Sequence, residues 1–379
     1  MNENEKLLAI KKLGFGLMRL PGTRKGEGGK TDINQVKLMV DEFMAAGFIY
    51  FDTAFVYDKG GSERAARAAL VDRYPRESFQ LATKMSAWAV DDAEHSKTQF
   101  AKSLERTNAG YFDFYLLHNL GGERIACYDD WGIWDFAQDK KNEGLIKHLG
   151  FSFHDNADVL ERVIDAHRDY IDFVQLQLNW ADWESETVQS RKCYEVARKY
   201  DLPIVVMEPI KGGSITHIGD SISAPLRAVD PDASIASWSL RFAASLPGVI
   251  TVLSGMSSIE QMHQNIQTMK DFQPLSPQEE EAIVAARHQM EKLPIIPCTD
   301  CRYCMEGCPE RIAIPAVLEA LNFFTLYDDG QRAQEHYDWN ASEHPASNCI
   351  ECKQCEQACP QHIKITDYLK TAAERFEHA

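Results

Sequence analysis

Eight cysteines in the last quarter of the sequence have the residue type and the spacing to bind metal. The segments PCTDCRYCMEGCP, residues 297–309, and NCIECKQCEQACP, residues 348–360, both contain Cys-x2-Cys-x2-Cys-x3-Cys-Pro. Thiolates are soft ligands that suit iron–sulfur clusters and zinc. Where this motif occurs twice, three cysteines of one loop bind one cluster and the fourth binds the other cluster. We therefore expect two 4Fe–4S clusters, one on Cys298, Cys301, Cys304 and Cys359 and the other on Cys349, Cys352, Cys355 and Cys308.

Zinc and disulfides are the alternative uses of these thiols. Zinc sites usually combine separate Cys-x2-Cys pairs, so this spacing favours iron–sulfur clusters over zinc. The start of the chain, MNENEKLLAI, has no apolar signal-peptide segment. We therefore expect a reducing, cytoplasmic environment, in which a disulfide framework is the least favoured interpretation. Cys127 and Cys193 lie outside the two motifs and are expected to be ordinary thiols.

The composition is that of a globular protein. The chain has 379 residues, of which 44% are hydrophobic and 26% charged, and no run of 18 apolar residues that could cross a bilayer. The net charge of −17 argues against nucleic acid or an anionic membrane as a partner. We expect a small-molecule substrate, with a redox protein as a further candidate partner.

The residues before the cysteine motifs alternate between β-rich and helical segments. Eight apolar runs, among them FIYFDTAF, FQLATKM and FDFYLLHN, are separated by amphipathic stretches such as INQVKLMVDEFMAAG. Eight βα units in about 250 residues fit a closed (β/α)8 TIM barrel. A doubly wound open sheet is the competing fold, but no Gly-x-Gly-x-x-Gly follows the first strand. We predict the barrel domain over residues 1–285.

The remaining residues, 286–379, are predicted to form a small, mainly helical domain around the clusters. The segments CPERIAIPAVL and CPQHIKITDYL are internal repeats, in which Ile312 aligns with Ile363 and Ile314 with Ile365. The repeat predicts two similar halves that are related by pseudo-symmetry.

Four polar residues follow the ends of consecutive predicted strands, where TIM-barrel enzymes have their active sites. They are Asp52, Tyr57, Lys84 and His118. A tyrosine can act as a general acid at neutral pH if a nearby ammonium group stabilises its phenolate. We expect Tyr57 to be that acid, with Lys84 supplying the charge and Asp52 orienting Lys84. His118 would donate a hydrogen bond to a carbonyl oxygen. Each residue alone has an ordinary structural interpretation, but the four together favour a catalytic site.

The sequence around these four residues resembles the aldo-keto reductases. The matching segments are FDTAFVYDKGGSERAARAAL, LATKM and DFYLLHN, and the likeness extends over about residues 9–270. The resemblance implies that the four residues form a catalytic tetrad, with a nicotinamide as the source of the hydride. The cysteine segment is similar to bacterial dicluster ferredoxins, and the combination resembles a branch of the family known mainly as predicted oxidoreductases.

The same resemblance implies a set of contacts to the nicotinamide cofactor. They are Ser152, Gln175, Gly212, Gly213, Ser254, Gly255 and Asn265. Ser152 and Gln175 match contacts to the carboxamide, whereas Phe153 stands where asparagine is common and Met207 stands where an aromatic ring often stacks. The Lys and Arg that typically bind a 2′-phosphate are absent near Gly255, so the cofactor stays open between NAD, NADP and a flavin.

A hydride carries two electrons whereas each cluster accepts one, and this difference leaves three functions open. The first is an oxidoreductase that interconverts a carbonyl and an alcohol, with clusters that exchange electrons through a flavin or a partner. The second is a nicotinamide-dependent carbonyl reductase whose clusters are structural or redox-sensing. The third is a non-catalytic redox sensor or docking protein. The complete Asp–Tyr–Lys–His set favours an enzyme, and the missing contacts to a 2′-phosphate favour the first function.

Overall fold

The structure is a computed structural model that describes residues 11–22, 30–298 and 302–377. Cys301 lies outside the described residues, so its role as a cluster ligand stays a prediction. Within these ranges, no helix is long and apolar enough to span a bilayer.

The described chain divides into two compact units. The first unit contains the residues up to Gly212 together with Ala236–Ser276, and the second contains Gly213–Ile235 together with the residues from Pro277 onwards. The second unit therefore includes a segment that lies, in the sequence, between the strands of the barrel. The boundary between residues 285 and 286 stays a prediction.

The first unit contains a closed barrel of parallel strands, as predicted. Neighbouring strands pair in chain order, and the last strand pairs with the first, so the doubly wound alternative is excluded. The strands in the described ranges are β1 (Leu13–Gly16), β2 (Tyr50–Asp52), β3 (Gln80–Met85), β4 (Phe112–Leu120), β5 (Ile146–Phe153), β6 (Phe173–Gln177), β7 (Ile204–Met207) and β8 (Val249–Ser254).

The alternation of side chains along the strands produces two apolar layers. One layer fills the barrel interior, and it consists of Tyr50, Ala82, Phe114, Leu116, Phe173, Val205, Ile250 and Leu253. The other layer packs the outer face of the strands against helices, where each buried apolar Å² stabilises the fold by about 25 cal/mol. Close approach inside the barrel requires glycine at residue 150, because a Cβ there would lie 2.4 Å from the carbonyl oxygen of Phe173.

The strands are connected by helices, and further helices form most of the second unit. In chain order, the described α-helices are α1 (Ile33–Ala45), α2 (Gly61–Ala66), α3 (Ala93–Thr107), α4 (Ile125–Asp130), α5 (Ile133–Asn142), α6 (Ala157–His167), α7 (Ser190–Lys199), α8 (Asp220–Val229), α9 (Ile235–Ser245), α10 (Ile259–Lys270), α11 (Pro277–Met290), α12 (Tyr303–Glu306), α13 (Ile314–Tyr327), α14 (Gly330–Asn340), α15 (Gln354–Ala358) and α16 (Ile365–Phe376).

Side-chain caps fix where several helices of the barrel begin. Asp32, Asp92, Asn156 and Ser258 each accept hydrogen bonds from backbone N–H groups in the first turn of α1, α3, α6 and α10, respectively. Such a cap contributes about 1 kcal/mol. Each of these helices follows a strand of the barrel. The caps therefore fix the C-terminal ends of the strand-to-helix loops at the mouth of the barrel, where the candidate site lies.

The second unit contains the predicted internal repeat. Helices α13 and α16 begin at the equivalent residues Ile314 and Ile365, and the preceding Ile312 and Ile363 are both buried. The same short backbone hydrogen bond recurs in both halves, from the Ile314 N–H to the Ile312 oxygen at 2.8 Å and from the Ile365 N–H to the Ile363 oxygen at 2.9 Å. The repeated sequence therefore folds twice in the same way.

The segment 213–235 belongs to the second unit because of its own packing. Helix α8 lies in this segment and packs against α11. In addition, the Ser214 hydroxyl donates a hydrogen bond of 3.2 Å to the Asp329 carboxylate, which caps α14. The sequence pattern did not predict this grouping.

Candidate active site and cluster sites

The four predicted catalytic residues lie together at the C-terminal ends of β2, β3 and β4. Asp52 ends β2, Lys84 and His118 lie near the ends of β3 and β4, and Tyr57 follows β2 in the next loop. The Lys84 Nζ lies 2.5 Å from Asp52 Oδ1 and 3.4 Å from the Tyr57 hydroxyl oxygen. The rings of Tyr57 and His118 meet edge to face with their centroids 5.7 Å apart. The structure brings the residues together, and their catalytic roles stay predictions.

Burial and nearby charges set the protonation states of this cluster. Burial lowers the pKa of Lys84, but the charge of Asp52 and the hydrogen bonds to Asp52 and Tyr57 raise it more, so the ammonium group stays protonated. Burial raises the pKa of Tyr57, and this effect exceeds the lowering by the charge of Lys84. Tyr57 therefore keeps its proton at neutral pH, as a general acid must.

The ring of His118 is oriented by Ser86. The Ser86 hydroxyl lies 2.8 Å from His118 Nδ1, and the Gln99 side chain holds the Ser86 backbone through two hydrogen bonds of 2.9 Å each. Burial lowers the pKa of His118 well below its ordinary value, and the charge of Lys84 lowers it further. The imidazole is therefore neutral. A serine hydroxyl that donates to Nδ1 leaves the ring proton on Nε2, where it can be donated to a ligand.

Glu63 and Arg106 hold the loop that carries Tyr57. Glu63 is fully buried, and its carboxylate accepts hydrogen bonds from Arg106 Nη1 at 3.0 Å and from the Thr83 hydroxyl at 2.9 Å. The Arg106 Nη1 also donates a hydrogen bond of 3.0 Å to the carbonyl oxygen of Phe55. This pair ties the loop between β2 and α2 to β3 and α3.

Two of the predicted cofactor contacts lie beside the tetrad. Ser152 and Gln175 are neighbours in the register of β5 and β6, and the Gln175 amide donates a hydrogen bond of 3.2 Å to Asp52 Oδ2. The Ser152 hydroxyl accepts a hydrogen bond of 2.8 Å from the Asn119 backbone N–H. The side-chain Oδ1 of Asn119 is buried and has no hydrogen-bond partner in the described part of the chain. An N–H group of a bound ligand would satisfy this oxygen.

The other predicted cofactor contacts follow β7 and β8. Ser254 ends β8 next to Gly255, and its hydroxyl accepts a hydrogen bond of 2.9 Å from the Asn265 amide of α10. Both side chains are only 5% exposed, so they stabilise each other. Gly212 and Gly213 follow β7 with φ angles of 67° and 109°, which favour glycine. The contacts of all these residues with a cofactor stay predictions.

Sequence reasoning missed several residues that support the site. Ser86 stands two positions after Lys84. Its contact with His118 is visible only in the structure, because the two residues are far apart in the sequence. Glu63 carries a weak signal, because an acidic residue among the small buried residues of α2 is unusual without a partner. Arg106 carries no such signal, since its partners come from other elements.

The described cysteines of the two motifs line two cavities in the second unit. The first cavity is lined by Cys308, Cys349, Cys352 and Cys355. The second is lined by Cys298, Cys304 and Cys359. Each cavity thus combines cysteines of one motif with a single cysteine of the other, which is the exchange that the sequence predicts.

The walls of the two cavities are compatible with iron–sulfur clusters. The cysteines surround cavities whose other walls are largely apolar, with Ile312 and Leu369 at the first and Leu318 and Ile363 at the second. Thiolates around a hollow with apolar walls are the donor set of a cuboidal iron–sulfur cluster.

Comparison with protein-family models agrees with this arrangement. Residues 12–288 match the aldo/keto reductase family, and residues 297–363 match the 4Fe-4S dicluster domain. The first match covers well over half of the chain. The protein therefore belongs to the aldo/keto reductase family, and it carries a 4Fe–4S dicluster domain after the barrel.

Individual relatives match either a long or a short part of this chain. The uncharacterized oxidoreductase YqkF of Bacillus subtilis is 27% identical over 290 residues, which cover 69% of this chain and 87% of the relative. The acetyl-CoA decarbonylase/synthase complex subunit alpha 1 of Methanosarcina barkeri is 33% identical over 81 residues, 21% of this chain and 8% of that subunit. The second match is too short to relate the two activities.

Solved structures of aldo-keto reductases share the barrel. The holo form of AKR11C1 from Bacillus halodurans superposes with a TM-score of 0.57 at 23% identity, covering 73% of this chain and 91% of that one. An aldo-keto reductase from Klebsiella pneumoniae in complex with NADPH gives a TM-score of 0.56 at 21% identity, covering 72% and 90%. At these identities the likeness establishes the fold.

Proposed function

We propose that the barrel interconverts a carbonyl and an alcohol by hydride transfer, with Tyr57 as the proton donor. The observation that carries this proposal is the buried chain from Asp52 through Lys84 to Tyr57, with contacts of 2.5 and 3.4 Å, beside a neutral His118. A bound nicotinamide would supply the hydride.

Each member of the tetrad has a separate task in this proposal. Tyr57 gives its proton to the carbonyl oxygen, and the ammonium group of Lys84 stabilises the phenolate that remains. Asp52 keeps Lys84 charged and fixes its position. His118 donates a second hydrogen bond to the same oxygen and stabilises the negative charge that develops there. In the direction of alcohol oxidation, the Tyr57 phenolate takes up the proton.

The residues around Ser152 fit a nicotinamide carboxamide. The unpartnered Oδ1 of Asn119 can accept a hydrogen bond from the carboxamide N–H, and Ser152 and Gln175 lie nearby. Gly212 and Gly213 after β7 and Ser254, Gly255 and Asn265 near the end of β8 are proposed for the phosphates and the adenosine. Loops after the seventh and eighth strands are the usual phosphate sites of TIM barrels. The NADPH bound to the Klebsiella pneumoniae reductase supports a nicotinamide nucleotide as the cofactor.

The second unit is proposed to hold two 4Fe–4S clusters that transfer electrons. The two cysteine-lined cavities support this number. A cluster accepts one electron at a time, so electron exchange with a hydride-transferring site needs a relay, for which we propose a flavin. The net charge of −17 would suit a redox protein with a basic surface as the external partner in the cytoplasm.

The Tyr57→Phe variant tests the proposed chemistry. Phenylalanine fills the same volume but has no proton to donate, so we expect NAD(P)H-dependent reduction of an aldehyde to fall by at least about 100-fold. The visible absorbance of the clusters should be unchanged, because Tyr57 lies in the first unit. Retained turnover in this variant would refute the assignment of the tetrad.

A further inference from the structure

One arginine at the mouth of the barrel, Arg124, has no part in the proposed chemistry. It ends the 3-10 turn Gly122–Arg124 that follows β4, and it is exposed. Its Nε donates a hydrogen bond of 3.0 Å to the carbonyl oxygen of Asn119, the residue that follows His118. Among the described residues, no carboxylate forms an ion pair with its guanidinium. The Nη hydrogens of Arg124 are therefore available to a ligand.

The turn that carries Arg124 is held against the catalytic strand. The Gly122 N–H donates a hydrogen bond of 2.6 Å to the Asp155 carboxylate, which fixes the start of the turn. In the helix that follows, the Tyr128 hydroxyl donates a hydrogen bond of 2.5 Å to the carbonyl oxygen of His118. These two contacts, together with that to Asn119, keep the Arg124 guanidinium beside the strand that carries His118.

Two other cations at the mouth of the barrel are already paired with carboxylates. The chain has a net charge of −17. At the mouth, however, Lys84 is paired with Asp52, and Arg19 is paired with Glu208 at 3.4 Å. Arg124 forms no ion pair with a described carboxylate, and the nearby Asp155 carboxylate is hydrogen-bonded to the Gly122 N–H. A positive charge near the entrance of an otherwise acidic protein attracts an anion to that place.

We propose that the carbonyl substrate of the barrel carries a carboxylate or a phosphate and that Arg124 binds this anionic group. The inference rests on the proposed function, in which the reacting carbonyl oxygen lies between Tyr57 and His118. An arginine fork suits both anions, because its planar N–H groups can donate two parallel hydrogen bonds. The bound anion would fix the distance of the carbonyl from His118, so Arg124 would select which aldehydes and ketones react.

Three matched aldehydes test this proposal: 4-formylbenzoate, its methyl ester and 4-formylphenyl phosphate. We expect the wild-type kcat/KM to be about 10- to 100-fold higher for an anionic aldehyde than for the neutral ester, as the loss of one charged hydrogen-bonding pair predicts. Arg124→Met should abolish this preference, and Arg124→Lys should retain part of it. The carboxylate and the phosphate are distinguished by which of them gives the larger ratio in the wild-type protein.

The control is Arg162→Met, which removes an exposed arginine from α6 and changes the net charge equally. It should leave the preference intact. Equal kcat/KM for charged and neutral aldehydes in the wild-type protein, or the same preference in Arg124→Met, would overturn the inference while the proposed function stands.

Calorimetric titration with 4-(hydroxymethyl)benzoate, the alcohol product, gives a second measurement that needs no turnover. We expect this anion to bind the wild-type protein at least about tenfold more tightly than Arg124→Met. If no aldehyde is reduced, the proposed function fails, and this titration still decides on Arg124. Equal affinities, or no binding by either protein, would overturn the inference.

Discussion

Removing the guanidinium of Arg106 should destabilise the barrel and slow catalysis together. Glu63 is fully buried and depends on Arg106 for its only ionic partner among the described residues. Arg106→Met would leave a buried carboxylate with the Thr83 hydroxyl alone. Breaking one partner of a buried ion pair costs about 3–5 kcal/mol. Because Arg106 also binds the carbonyl oxygen of Phe55, we expect the loop of Tyr57 to shift and kcat to fall.

Urea unfolding followed by tryptophan fluorescence measures the loss of stability. Six of the seven tryptophans lie in the first unit, so this signal reports mainly on the barrel. Arg106→Lys should lose less stability, because an ammonium group can still pair with Glu63. The control is Arg67→Met, which breaks an exposed ion pair with Asp72 and should cost no more than about 1 kcal/mol. If Arg106→Met is as stable as Arg67→Met, the ion pair of Arg106 with Glu63 does not stabilise the barrel.

Three further predictions concern the tetrad and the clusters. Ser86→Ala should lower kcat for carbonyl reduction. Nitrogen-15 NMR spectra of this variant should show both neutral tautomers of His118, and a single unchanged tautomer would contradict the role of Ser86. Burial raises the pKa of Tyr57 above its ordinary value near 10. The rate of reduction should therefore stay level through neutral pH and fall only in strongly alkaline buffer. A decline that begins near pH 8 would contradict the role of Tyr57 as the general acid. Cys359→Ser should damage the cluster bound by the 298–304 loop, and Cys308→Ser the cluster bound by the 349–355 loop, in electron paramagnetic resonance spectra; damage confined to the cluster of each variant's own motif would refute the exchanged ligands.

The sequence pattern predicted the elements whose residues are periodic and close together in the chain. Buried parallel strands are continuous apolar runs, so the runs that contain Asp52, Lys84 and His118 marked strand ends that meet at one rim. The cysteine motifs were equally informative, because the four cysteines of each motif lie within twelve residues of one another. The placement of Cys308 and Cys359 beside the cysteines of the other motif agrees with the exchange that the motif predicts.

Contacts between distant elements could not be predicted in this way. Arg106 comes from α3, and its contact with Glu63 depends on how helices α2 and α3 pack. The contact of Ser86 with His118 depends on the neighbouring positions of β3 and β4. The segment 213–235 has the helical pattern of any barrel connection, and only the packing of α8 on α11 places it in the second unit.

We propose that one chain combines a two-electron carbonyl site with two one-electron clusters and exchanges electrons between them. The most direct test of this proposal is to purify the protein without oxygen, to measure iron and acid-labile sulfide, and to record the visible spectrum before and after adding NADH or NADPH. We expect about eight irons per chain and bleaching of the cluster absorbance by at least one nucleotide. About four irons, or eight irons with no bleaching by either nucleotide, would contradict it.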